Sequence, residues 1–183
     1  MAKKHTVVLD FDDEPSSFDD IAILFFRTDT PNYLFADDLN HLYQLALSRI
    51  DDLVFPNTPQ DSPGLPLYTF HNQLEYLDYY LVDLSTLQAS TQTKLLIIRG
   101  EATDDTVQNI LRDFNEPPAA ADPHNIELLH RNDILLAYQQ ALTSVSLYDP
   151  QPPVGLSKKA AKERQELDNL LTSILDLIDL QHL

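Results

Sequence analysis

TKLLIIRG, residues 93–100, holds four consecutive apolar residues bounded by polar ones. A short apolar run of this kind reads as a buried strand, which places it at the centre of a sheet. Upstream, LPLYTFHN (65–72) and LEYLDYYLVDLS (74–85) alternate or run apolar with several aromatics and meet near His71, Asn72 and Gln73, which predicts a hairpin. Tyr68, Tyr76, Tyr79 and Tyr80 crowd this region, as tyrosine does on strands. Downstream, EATDDTVQNILRDF is read as a helix capped at Thr103 or Asp104, with Val107, Ile110, Leu111 and Phe114 on one face.

The same reading extends to both ends. HTVVLDF (5–11) and IAILFFR (21–27) have strand character. Between Thr30, a suitable N-cap, and Ser48 lies a helical pattern that includes Leu39, Leu42, Tyr43 and Leu45, with Pro31 at the first helical position. RIDDLVF suits a short strand, and PNTPQDSPG (56–64) packs three prolines and a glycine into a loop. NEPPAAADPHN (115–125) breaks the pattern and marks a boundary. Beyond it, IELLHRNDILLAYQQALTSVSL carries a helical stripe, and KKAAKERQELDNLLTSILDLIDLQHL forms a long helix with Leu167, Leu170, Leu171, Ile174, Leu177 and Ile178 on one broad face. The order predicts an α+β fold: a mixed or antiparallel sheet with two packed helices over residues 1–118, and a C-terminal helical extension over 119–183.

Composition removes several kinds of chemistry. The 183 residues include no cysteine, so disulfides, thiolate nucleophiles and cysteine-ligated metal centres are excluded. Three glycines, none in a phosphate-cradling pattern, leave no nucleotide loop of the common kinds, and no cofactor is expected. A formal charge of −17 makes contact with nucleic acid or an anionic lipid surface unfavourable. The start, MAKKHTVVLDF, has too few apolar residues before Asp10 for a secretion signal or membrane span, so a cytoplasmic location is expected. No Lys or Arg occurs from residue 50 to 93, whereas KKAAKER (158–164) concentrates four.

Asp10-Phe11-Asp12, after an apolar run, resembles the first motif of haloacid-dehalogenase-type phosphatases. That resemblance implies Asp10 as nucleophile, Asp12 as general acid/base and magnesium between them. Ser85, Lys94 and Gly100-Glu101 followed by Asp105 echo the later motifs, but one strand alone separates Lys94 from Glu101, leaving no space for the helix the family places there. Glu14 and Pro15 also depart from the pattern. Asp10, Asp12 and Glu14 occupy the first, third and fifth positions of a calcium loop, yet Pro15 and Ile21 stand where that loop needs Gly and Glu. Asp10, Asp12 and Asp13 remain candidates for a weak, nonspecific cation site. The six histidines have no paired ligand spacing.

Over residues 5–115, the succession of NYLFADDLNHLYQLALSRIDDL, the aromatic hairpin and LLIIRG is similar to the small bacterial IPExxxVDY family. The resemblance implies a compact α+β fold and no established activity. The leading expectation is a non-enzymatic acidic interaction protein that meets a partner, or a second copy, through the leucine face of its C-terminal helix. Two other expectations are a magnesium-dependent phosphohydrolase using Asp10 and Asp12, and an immunity or antitoxin-like binder presenting the lysine-free face of 50–93 to a basic site.

Overall fold

The computed structural model describes residues 20–56, 59, 62–87, 92–100, 103–141, 143–151 and 153–181. Its centre is a six-stranded sheet built from β1 (Ile21–Arg27), β2 (Ser48–Arg49), β3 (Leu67–Asn72), β4 (Leu77–Asp83), β5 (Thr93–Arg99) and β6 (Ser144–Leu147). The spatial order is β2-β3-β4-β5-β1-β6, and every described pairing is antiparallel. TKLLIIRG occupies the predicted central place, with Leu95 to Ile98 fully buried between β4 and β1.

Both faces of the sheet are covered, which explains why its middle strands are continuously apolar. One face packs Leu24, Phe26, Tyr79, Leu81, Leu96 and Ile98 against three helices: α1 (Asn32–Tyr43), α2 (Thr103–Asn115) and α3 (Ile126–Gln140). The other packs Ile23, Tyr80, Val82, Leu95 and Ile97 against α4 (Lys158–Gln181). The alternation of these names along each strand is the two-residue period of the pleat. Phe26, Phe35, Phe114 and Tyr138 form an aromatic group of edge-to-face and tilted contacts, with ring centroids 5.1–5.6 Å apart, that joins β1 to all three helices.

Local chemistry sets the element ends. Pro31 is the residue before α1 and Thr30 lies outside it, one position from the sequence expectation; the Pro31 carbonyl accepts from the Phe35 N–H. Asn125 caps α3 by accepting from the Leu128 N–H. Gly100 has φ +136°, and a Cβ there would lie 2.3 Å from the Tyr76 carbonyl oxygen, so glycine is required where β5 leaves the sheet beside the β3–β4 turn.

The structure differs from the sequence reading beyond residue 140. Residues 144–147, expected to continue a helical stripe, leave α3 and form β6 against β1. Ser-Val-Ser-Leu has the two-residue alternation of a strand, and only Val145 of the four is buried. Three helices, rather than two, cover the first face. The C-terminal helix is present as α4, and the same segment supplies β6 and the core residues Leu135 and Tyr138. RIDDLVF contributes only Arg49 to the two-residue β2 and Leu53 to an isolated bridge with Leu65.

Candidate functional site

The groove beside β6 follows from small side chains at a sheet edge. On the α4 face, Phe25 stands opposite Ser146 and Arg27 opposite Ser144. Two serines cannot fill the space beneath the first half of α4, and a groove of about 510 Å³ remains. Its wall is partly apolar, with Phe25, Leu147, Pro153 and Leu167, and its charged groups are Arg27, Arg164 and Asp149.

Arg164 is held in place. Its Nε donates to Asp168 at 2.7 Å, its guanidinium also donates to the Asp149 carbonyl, and it lies 4.4 Å over the Tyr148 ring. Tyr148 donates its own hydroxyl to Asp168 at 2.6 Å. Burial, followed by the hydrogen bond to Asp168, raises the Tyr148 pKa. Arg27 is exposed and makes no hydrogen bond or ion pair with another described residue. The groove therefore has one braced arginine and one open one.

Beside the groove lies the outer edge of β6. The Tyr148 N–H donates to Ile23 at 2.8 Å, which continues the β1 ladder. Alternation in an antiparallel pair then turns the N–H and C=O of Val145 and Leu147 away from β1. β6 is the last strand on that side of the sheet among the described residues.

A second polar constellation lies under the start of α1, at the end of the sheet. Asp83 and Lys94, cross-strand partners, are buried with Asp83 Oδ2 3.9 Å from Lys94 Nζ. Asn32 donates to Asp83 at 2.6 Å, and the Ser85 N–H and hydroxyl each donate to it at 2.9 Å. Burial lowers the Lys94 pKa, opposed by the charges of Asp83 and Asp29. Ser85 and Lys94, the echoes of a phosphatase motif, thus meet around one structural carboxylate.

A third cluster ties the helices together. Asp113, buried on α2, accepts from Tyr43 at 3.3 Å and from Arg131, while Tyr138 donates to Asp38 at 2.6 Å. His41 and His130, unrelated by spacing, meet edge to face at 5.7 Å across α1 and α3. Among the described residues no group of three or more His, Cys, Asp or Glu could hold a metal ion.

The other expected residues are placed as follows. Asp10, Asp12 and Asp13 lie outside the described residues. Leu171, Ile174 and Ile178 are fully buried against the sheet, and Leu167, Leu170 and Leu177 are partly buried beside them. A partner drawn to that stripe would have to displace α4. The groove escaped sequence reading because its residues come from β1, β6 and α4, far apart in the chain. The only local signal was the Ser-x-Ser alternation at 144–146. No helix among the described residues is long and apolar enough to cross a membrane. No family model, curated protein or solved structure matches the chain.

Proposed function

We propose that this protein is a non-enzymatic interaction module that receives an extended segment of a partner protein along β6. The observation that carries the reading is the outward-facing backbone of Val145 and Leu147 beside a groove on the α4 face. Strand addition uses this combination: backbone hydrogen bonds supply affinity, and alternate side chains entering a pocket supply specificity. α4 takes part by lining the groove with Arg164 and Leu167, while its leucine stripe holds it on the sheet.

Leu147→Pro tests the reading. It removes an outward N–H without removing a bond to β1, and Leu147 is 43% exposed, so an edge strand tolerates the change. The full chain should retain a stoichiometric partner from its native cell that L147P loses. In the purified complex, amide exchange should slow at Val145 and Leu147. A complex that forms equally well with L147P and leaves those amides unprotected would overturn the proposal.

A further inference from the structure

Resting on that reading of β6, we infer that the incoming segment carries an acidic side chain, which pairs with Arg27. Three observations converge. The Arg27 guanidinium is exposed and uncompensated among the described residues, in a chain with only 12 Lys and Arg against 29 Asp and Glu. Arg27 sits opposite Ser144, on the face of the sheet that borders the groove. Ser144 is small enough for a longer side chain to cross above it.

Geometry makes the pairing feasible. Neighbouring strands lie about 4.8 Å apart, so a strand added beyond β6 runs about 10 Å from β1. An arginine from β1 and a glutamate from the added strand span that gap together, meeting over Ser144. The other cation of the groove, Arg164, is already engaged by Asp168 and by the Asp149 carbonyl. Its charge is balanced by Asp168, so it offers the ligand no free fork. Arg27 therefore determines the charge preference. The next inward-facing side chain of the added strand, two residues away, would lie beside Ser146 and Phe25, where an apolar group suits the wall.

The net charge of −17 opposes acidic ligands at long range, but exposed charges more than about 8 Å away are largely screened at physiological salt. One carboxylate at Arg27 is consistent with this, whereas a strongly acidic segment is not.

Fluorescence anisotropy with labelled peptides tests the inference. The probes are alternating Thr/Val peptides with one central Glu, and the same peptides with Gln or Lys in its place. The Glu peptide should bind about tenfold more tightly than the Gln peptide, as expected for one charge-assisted pair, and the Lys peptide should bind more weakly than either. Arg27→Gln should abolish the preference, so that the Glu and Gln peptides bind this variant equally. L147P should abolish binding of both, with far-UV circular dichroism confirming its fold; Ser144→Phe, which fills the groove, serves if L147P does not fold. Equal binding of Glu and Gln peptides that is lost in L147P would overturn the carboxylate inference and leave the edge reading standing. Binding that survives both L147P and Ser144→Phe, or no binding of any peptide, would overturn the edge reading too. A dimer of the peptide-free chain that L147P converts to monomer would assign the edge to a second copy and overturn the inference.

Discussion

Lys94 is the residue whose chemistry departs furthest from what its position in the chain suggests. Its neighbours in TKLLIIRG are core aliphatics, yet its ammonium is buried beside Asp83. Lys94→Met leaves the Asp83 carboxylate buried with only its Asn32 and Ser85 donors, so it should destabilise the fold by about 1–3 kcal/mol in denaturant melts. A pH signature separates charge from packing. The folded-state pKa of Lys94 is lowered, so the unfolded chain binds more protons in the interval between that value and 10.5. Stability should therefore rise with pH as that interval is crossed, and K94M should lack this contribution. Gly100 makes a related point. Its neighbour Glu101 gave it the look of a metal motif, but its positive φ and contact with Tyr76 account for it through backbone geometry.

At the scale of elements, α4 and β6 illustrate opposite degrees of legibility. The leucine stripe of α4 was plain from spacing, because helical periodicity is a local property. What it faces was not local, and the structure lays it on the β1–β5–β4 face of the sheet. Ile174→Ala should therefore cost about 2–5 kcal/mol, whereas Leu180→Ala, at a side chain 65% exposed, should change stability by no more than about 0.5 kcal/mol. Chemical denaturation of both variants checks the contrast. β6 was hidden by its length: four residues hold too little pattern to stand out from the helix before them, and pairing with β1 decides their conformation.

For the whole molecule, buried tyrosines couple the fold to alkaline pH. Tyr43, Tyr80 and Tyr138 are all raised above the ordinary value, each chiefly by burial; Tyr80 is pushed up to about 12, with Asp78 adding to the effect. A raised folded pKa means the unfolded chain ionises first. Their contribution is complete below pH 10 and declines above it, by about 1.4 kcal/mol per pH unit for each tyrosine, until the folded-state pKa is reached. Alkaline unfolding should thus be steep above pH 10, with the tyrosinate absorbance of the buried residues rising together with loss of circular dichroism. In a Tyr33→Phe/Tyr76→Phe background, which removes the exposed phenols, tyrosinate absorbance appearing well before unfolding would contradict this burial. Tyr138→Phe leaves Asp38 without its donor but removes one ionising group, and should make the alkaline transition less steep.

By itself the sequence determined the α+β class, the central strand, the aromatic hairpin, three of the four helices among the described residues nearly to their ends, and the exclusion of cysteine chemistry. Each rests on a period, a cap or a composition that neighbouring residues define together. Tertiary structure alone decided that α4 covers the second face, that Ser144–Leu147 joins the sheet, that Lys94 meets Asp83, and that Arg27 and Arg164 border one groove. The physical reason is common to all four. Burial and pairing depend on which residues the completed sheet brings within a few ångströms, and Arg27 and Arg164, 137 positions apart, share no local pattern by which their meeting could be read.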